Sequence, residues 1–346
     1  MNRGVLVYSL LLVAAMGGAY AVWTTPNSGV QSDGVTLISG VMDELQRLHY
    51  HTEKLDVVLE RRTDDRGAFG WVRVESASTV VSGVDSPAES GAEGAPAESA
   101  ARAQVQVSEF KAGRAAEAVM SGMMPFVARR QLEHLNQDQL SELGLDQPEA
   151  TIEITRQGRE SKRFEIGGRV YGGRNLYARD PETGHVYVIE ASLLRPLDNP
   201  EQTLLDRDVV GVDAREIERI AVTRDGREAT FEQHNAADAS AAYWSPAGND
   251  RPDAGAGAWI DRALRLRIQS YVQAGDATPA LETVVQFAVH TRAGTVVETE
   301  LLVARSDAGE AQWFARSQYT RALVRLEGSL PADVAADVAR LFAEGL

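Results

Sequence analysis

The longest uninterrupted apolar stretch comes first, for residues 4–23 carry no charged side chain. As a helix, such a run is about 30 Å long, the thickness of a bilayer hydrocarbon core. Arg3 precedes it and the next charge is Asp33. The asymmetry predicts a transmembrane anchor over residues 1–23 with its amino terminus in the cytoplasm. Tyr20 and Trp23 fall where interfacial aromatic anchors belong. Ala19-Tyr20-Ala21 also fits a small-x-small cleavage site, which leaves cleavage after Ala21 open. The run exceeds the usual length of a signal-peptide core, so a retained anchor is expected. The localisation that follows is the inner (cytoplasmic) membrane, single-pass, N-in, with the C-terminal bulk periplasmic or extracellular.

Residues 24–54 read as tether and linker, although 35–48 are compatible with a short strand or a helix. Residues 55–60 and 69–74 read as strands and predict a hairpin closed through Asp64-Asp65-Arg66-Gly67. Residues 84–103 are a low-complexity run of Ala, Gly, Ser, Pro and Glu, with too few large apolar groups to offset ordering entropy, and predict a disordered insertion. Alternation returns at 105–110. Across 112–135 the apolar positions Ala115, Val119, Met123, Phe126 and Val127, then Leu132 and Leu135, follow a helical period, with Pro125 dividing two helices. Strands are predicted at 150–155, 161–166, 175–179 and 185–189. Turns at Gly158, Gly167-Gly168, Gly172-Gly173 and 181–184 separate them, and a short helix follows at 191–197. A second block begins with a hairpin, 218–223 and 228–233, through Arg224-Asp225-Gly226. A flexible loop over 246–257, a helix over 259–272 and strands at 283–291, 295–304 and 312–317 come next. The amphipathic helix at 331–342 opens with Pro331 in its first turn.

The two blocks match in order. Trp71 corresponds to Trp244, and Tyr177-Ala178-Arg179 to Phe314-Ala315-Arg316. The expected architecture is an α+β fold, with the N-terminal transmembrane helix followed by two tandem, related α+β domains of antiparallel sheets, 55–210 and 211–346. The matched tripeptides read as inward aromatics that pack a helix and arginines paired with an acidic surface, rather than as duplicated ligand sites.

Several stretches carry a family resemblance: Leu143-Gly144-Leu145-Asp146-Gln147-Pro148 before a hairpin, Phe164-Glu165-Ile166-Gly167, and Leu176-Tyr177-Ala178-Arg179. Val186-Tyr187-Val188-Ile189 and Leu205-Asp206-Arg207-Asp208 complete the set. On these the chain resembles the domain of unknown function 4340 family, closely over residues 55–230 and loosely beyond. The resemblance implies an envelope protein associated with gliding-type ABC transporters, in an accessory role, and it supplies no active-site residues.

Composition narrows the chemistry. The formal charge is −15, and an acidic surface of that size repels phosphate backbones, so nucleic-acid binding is not expected. No cysteine is present, which excludes disulfides, thiolate metal sites and a cysteine nucleophile. His49 and His51 would share one side of a strand, but neither Glu44 nor Glu53 makes a convincing third ligand by spacing. The glycine pairs lack the Lys-Ser/Thr of a phosphate loop. No Gly-x-Ser-x-Gly elbow or His-Glu-x-x-His helix occurs. In Asp206-Arg207-Asp208 the intervening arginine offers simple charge balance. No catalytic, cofactor-binding or metal-binding residue is therefore assigned, and no cofactor. The expected function is a non-enzymatic, membrane-tethered envelope protein, an accessory or scaffold component of an ABC transporter complex. Its partners would be envelope or transporter membrane proteins. The alternative is a periplasmic module binding a peptide or glycan at the junction of the repeats.

Overall fold

Alternating strands and tight turns build most of what the computed structural model describes, namely residues 34–79, 103–132, 135–277, 279–305 and 309–343. These residues form nineteen strands and five α-helices. They fall into two compact units, each assembled from two stretches of chain. One holds the described residues up to Glu53 together with Val119–Arg195; the other holds Lys54–Ala118 and everything from Pro196 onward.

In the first unit, β1 (Val35–Ile38) pairs with β6 (Phe126–Ala128). The main sheet runs in the order β2 (Leu45–Thr52), β8 (Ala150–Arg156), β9 (Lys162–Arg169), β10 (Asn175–Arg179), β11 (Val186–Glu190), β7 (Arg130–Leu132). Period-two alternation decides which face is buried. Ala150, Ile152 and Ile154 turn inward on β8, and Ile152 lies opposite Phe164 of β9. Phe126 meets Phe164 edge-on at 5.3 Å. Helix α2 (Gln137–Glu142) begins with a capping box in which Asn136 and Gln139 satisfy each other's backbone amides. Its Leu140 forms a small cluster with Leu145 and Val186. At Gly167 a Cβ would stand 2.5 Å from the Leu143 carbonyl oxygen, and the Gly168 amide donates to that same oxygen at 2.8 Å. The Gly167-Gly168 pair, expected as a turn, lies inside β9 and is small because another backbone crosses it.

In the second unit, β3 (Leu55–Asp64), β4 (Gly67–Thr79) and β5 (Ala103–Lys111) form an antiparallel ribbon. An eight-stranded sheet follows in the order β14 (Tyr243–Pro246), β13 (Arg227–His234), β12 (Ile217–Arg224), β16 (Glu282–Thr291), β17 (Val296–Arg305), β18 (Ala311–Ser317), β19 (Leu323–Leu326), β15 (Ile268–Tyr271). Ile220 and Val222 on β12, with Phe287 and Val289 on β16, form part of its buried face. Helices α4 (Ala254–Leu264) and α5 (Leu330–Ala343) pack on each other and reach β14, β12 and β16. Asp253 caps α4, whose Trp259 meets Phe231 edge-on at 5.9 Å. Helix α3 (Pro200–Thr203) is short, and helix α1 (Arg114–Gly122) has residues up to Ala118 in this unit and the rest in the first.

Six strands of each unit share one order of connection, β2-β8-β9-β10-β11-β7 in the first and β12-β16-β17-β18-β19-β15 in the second. The match extends to side chains. Arg179 lies directly across from Glu165, and Arg316 across from Glu300. Ala178 and Ala315, the central residues of the two tripeptides, are fully buried.

Two expectations are corrected. The fold is mostly antiparallel β-sheet rather than α+β. The helical period read over 112–135 belongs to a helix only as far as Gly122. Beyond Pro125, which cannot continue a helix, β6 and β7 follow. Residues 259–272 likewise divide into the end of α4 and strand β15, and 191–197 form 3₁₀ turns. Strands of three or four residues are too short to display their own alternation, so the neighbouring helical spacing ran into them. The second correction concerns the single-pass, N-in inner-membrane placement. No helix among the described residues is long and apolar enough to cross a membrane, and that placement finds no support. The longest, α5, has fourteen residues and carries Asp333, Asp337 and Arg340. It spans roughly 21 Å, short of a bilayer core. The anchor expected over 1–23 and nearly all of the insertion expected over 84–103 lie outside the described residues.

Gly167→Ala should lower stability by about 1–3 kcal/mol, because the obstructing atom is backbone and cannot swing aside. Urea unfolding should show an earlier midpoint at unchanged slope; an unchanged midpoint would mean that β9 and the 143–145 loop separate readily.

Candidate functional site

Lys111 ends β5, and in the second unit it is buried. Three backbone links fasten the chain around it: Asp206 N–H donates to Lys111 O at 3.1 Å, Gly113 N–H to Leu204 O at 2.7 Å, and Ala112 forms an antiparallel bridge with Leu205. This brings Asp206 beside the ammonium. Lys111 Nζ donates to Asp206 Oδ2 at 2.5 Å, Tyr319 OH donates to the same oxygen at 2.6 Å, and Asp208 N–H takes Oδ1 at 3.1 Å. Nζ also lies 3.7 Å from the centroid of the Tyr319 ring, so the cation meets a carboxylate and an aromatic face together. The Tyr319 ring rests on Gly211, whose φ of +65° suits glycine and where any Cβ would strike the ring. Burial, then the hydrogen bond to Asp206, pushes the Tyr319 phenol up. Burial, then the Asp206 charge, does the same to Tyr271.

One cavity adjoins this cluster, and a second adjoins the first. The first, of about 560 Å³, is lined by Lys111, Tyr319, Val210, Phe69, Arg66 and Arg321 among others. The β3–β4 turn forms part of its wall: Arg321 Nε donates to Asp64 at 2.9 Å and lies over the Phe69 ring, while Arg66 reaches the Gln318 carbonyl at 3.2 Å. The Arg321 hydrogen bond, opposed by partial burial, holds the Asp64 carboxyl below its ordinary value. The second cavity, of about 810 Å³, shares Arg66, Val296, Gln318 and Arg321 with the first. It includes the face of β12, β16 and β17 opposite the buried one. Ala221 and Ala288 lie directly across from each other there, and their small side chains make the depression. His290, Gln286, Glu298, Glu300 and Arg316 surround them. Glu300 pairs with Arg316 at 3.2 Å and Gln318 donates to Glu298 at 2.7 Å. Burial and then the Arg219 charge lower the His290 pKa, which favours a neutral imidazole.

The residues singled out from sequence are distributed differently. His49 and His51 sit two apart on β2 of the first unit, with ring centroids 6.3 Å apart. Asp206 and Asp208 are not balanced by Arg207, whose guanidinium donates to the Ile268 carbonyl at 3.1 Å. Asp206 takes Lys111, and Asp208 takes Arg267 at 2.7 Å. Trp71 donates to Glu109 at 3.1 Å and meets Tyr271 edge-on; Trp244 lies half-buried on β14. Lys111, Tyr271 and Tyr319 escaped the sequence reading. One signal was available for the first. The chain holds three lysines, Lys54, Lys111 and Lys162, among 35 basic residues. A lone lysine next to the apolar Phe110 marks a place that needs a compact ammonium rather than a guanidinium fork.

A β-rich chain with a buried ion pair beside a cavity defines a class of folded module without naming an activity. The family described as "Domain of unknown function (DUF4340)" matches residues 107–283. The chain belongs to this family. Lys111 and Asp206 lie inside the matched segment, whereas Tyr319 lies beyond it. Neither the curated proteins nor the solved structures compared with it gave a match.

Lys111→Met should cost roughly 3–5 kcal/mol in urea unfolding, because it strands a buried carboxylate. Adding Asp206→Leu should recover part of that loss; a silent single variant would show that the pair does not hold the unit together. The raised phenols carry a pH signature. The unfolded chain releases those protons near pH 10 while the folded chain keeps them, so stability is full below that value and falls as pH rises through it. Tyr319→Phe should flatten that alkaline loss in melts run from neutral pH upward.

Proposed function

We propose that this chain is a non-catalytic binding protein, an accessory or scaffold component of an ABC transporter complex. The transporter association rests on the family, and the non-catalytic reading rests on how the carboxylates of the second unit are engaged. Asp206 is shared by Lys111 and Tyr319, Glu300 is paired with Arg316, and Asp64 with Arg321. A general acid or base needs a free lone pair or proton aimed at a substrate, and these groups direct theirs at Lys111, Tyr319, Arg316 and Arg321. Partners of such a scaffold are the membrane subunits of the transporter.

The 810 Å³ cavity favours a second reading, a module that binds a peptide or glycan fragment. Its size falls within the range of small-molecule sites, and it offers side-chain donors and acceptors around an alanine floor.

Crosslinking in cells followed by mass spectrometry should recover transporter subunits with the full chain. Recovery of none would sink the scaffold reading. Ala288→Leu, which fills the floor, should leave those crosslinks intact and abolish any binding of small peptides or oligosaccharides seen by calorimetry.

A further inference from the structure

β5 is the outermost strand of its ribbon, and its free edge is only partly closed. At Lys111 the carbonyl oxygen is taken by Asp206 N–H at 3.1 Å. At Glu109 a side chain stands in for a strand: Glu109 N–H donates to Gln273 Oε1 at 2.8 Å, and Gln273 Nε2 donates back to Glu109 O at 3.2 Å. One carboxamide thus makes both bonds that the opposing residue of an antiparallel strand would make. In an antiparallel ribbon, residues two apart aim their N–H and C=O groups the same way. Those of Val107 and Val105 therefore also point off the edge, and among the described residues they have no partner there.

The space beside this edge suits a strand. A groove of about 660 Å³ runs between β5 and residues 269–276. Val105 and Val107 are 61% and 38% exposed, an unusual state for β-branched residues on a strand. Three carboxylates, Glu109, Glu201 and Asp276, line the groove, and its described lining contains no lysine or arginine. An unpaired edge is a template for pairing with another chain, and the side chains set which chain.

We propose that β5 accepts, as an added strand, an extended segment of a partner protein in which lysine or arginine alternates with β-branched residues. The partner's main chain bonds to Val107 and Val105, as in other strand-addition complexes. Its β-branched side chains pack across from the two valines, and its cations approach Glu201 and Asp276. The Gln273 amide ends the register by occupying the next position. This deepens the scaffold reading and rests on it for the identity of the partner as a protein.

The probe is a fluorescein-labelled peptide of four Lys-Val repeats, titrated with the full chain and followed by fluorescence anisotropy at about 0.15 M salt, where loose charge attraction is screened. Saturable binding is expected. A peptide of equal charge with two valines replaced by proline should bind about tenfold more weakly. Val107→Pro should weaken binding about tenfold at an unchanged unfolding midpoint, since the N–H it removes belongs to no ladder. Gln273→Ala should tighten binding by freeing the Glu109 position, a direction that partial unfolding does not produce. No binding of the Lys-Val peptide, or equal binding by the proline peptide or by Val107→Pro, overturns the proposal. Transporter crosslinks that persist in Val107→Pro also overturn the edge as the docking surface, yet leave the scaffold reading standing. Their absence in the unaltered chain removes the scaffold reading instead.

Discussion

Burying an ammonium and a carboxylate together is costly unless the geometry leaves neither short of partners, and the second unit is organised around meeting that demand at Lys111 and Asp206. The requirement fixes the end of β5, because Lys111 must enter at that strand's last residue. It fixes the 204–208 segment through its backbone bonds to Lys111 and Gly113. It draws in Tyr319, which gives Asp206 a second donor and covers the ammonium with its ring. Gly211 is small because the ring lies against it. The partners are separated by 95 and 113 residues along the chain, so one cluster ties together three distant segments. The cavity walls contributed by Lys111, Tyr319 and Arg321 stand where they do as a result.

Strand positions were legible in the sequence wherever a strand was long enough to alternate. β8, β10 and β11 were predicted within a residue or two, as were β12, β13 and the later meander, because turns of Gly, Asp and Pro bounded each run, whereas β9 runs three residues past its expected end, to Arg169. Short elements were not legible. β6, β7 and β15 have three or four residues, and a helical period fits such pieces as well as an alternating one. Sequence spacing also favoured Arg207 as the counter-ion of its acidic neighbours, although adjacent residues on an extended chain point to opposite sides. The true partner of Asp206 lies on another strand, and sequence spacing says nothing about contacts of that range. Gly167-Gly168 was misread for a related reason: a glycine required by the passage of another backbone looks, in sequence, like a glycine required by a turn.

The matched order of six strands in the two units shows how one sheet plan serves different surroundings. In the first unit, the residues joining sheet and loop are apolar or glycine, as at Leu140, Leu145 and Gly167. In the second unit, the corresponding sheet carries alanines and polar groups on its other face. The plan is carried by backbone pairing and buried aliphatic residues, while the exposed positions are free to differ.

The half-buried Arg179–Glu165 contact and the more exposed Arg316–Glu300 contact have a consequence beyond their contribution to stability as ion pairs. In each sheet the arginine follows a fully buried alanine. If β10 or β18 slid past its neighbour by one residue, the guanidinium would be driven into the apolar interior and the alanine turned out to water. Each arginine therefore penalises a one-residue misalignment of its strand. It raises the energy of the misaligned sheet far more than it lowers that of the correct one, and a chain that has used one sheet plan twice has the most to gain from keeping each copy in step.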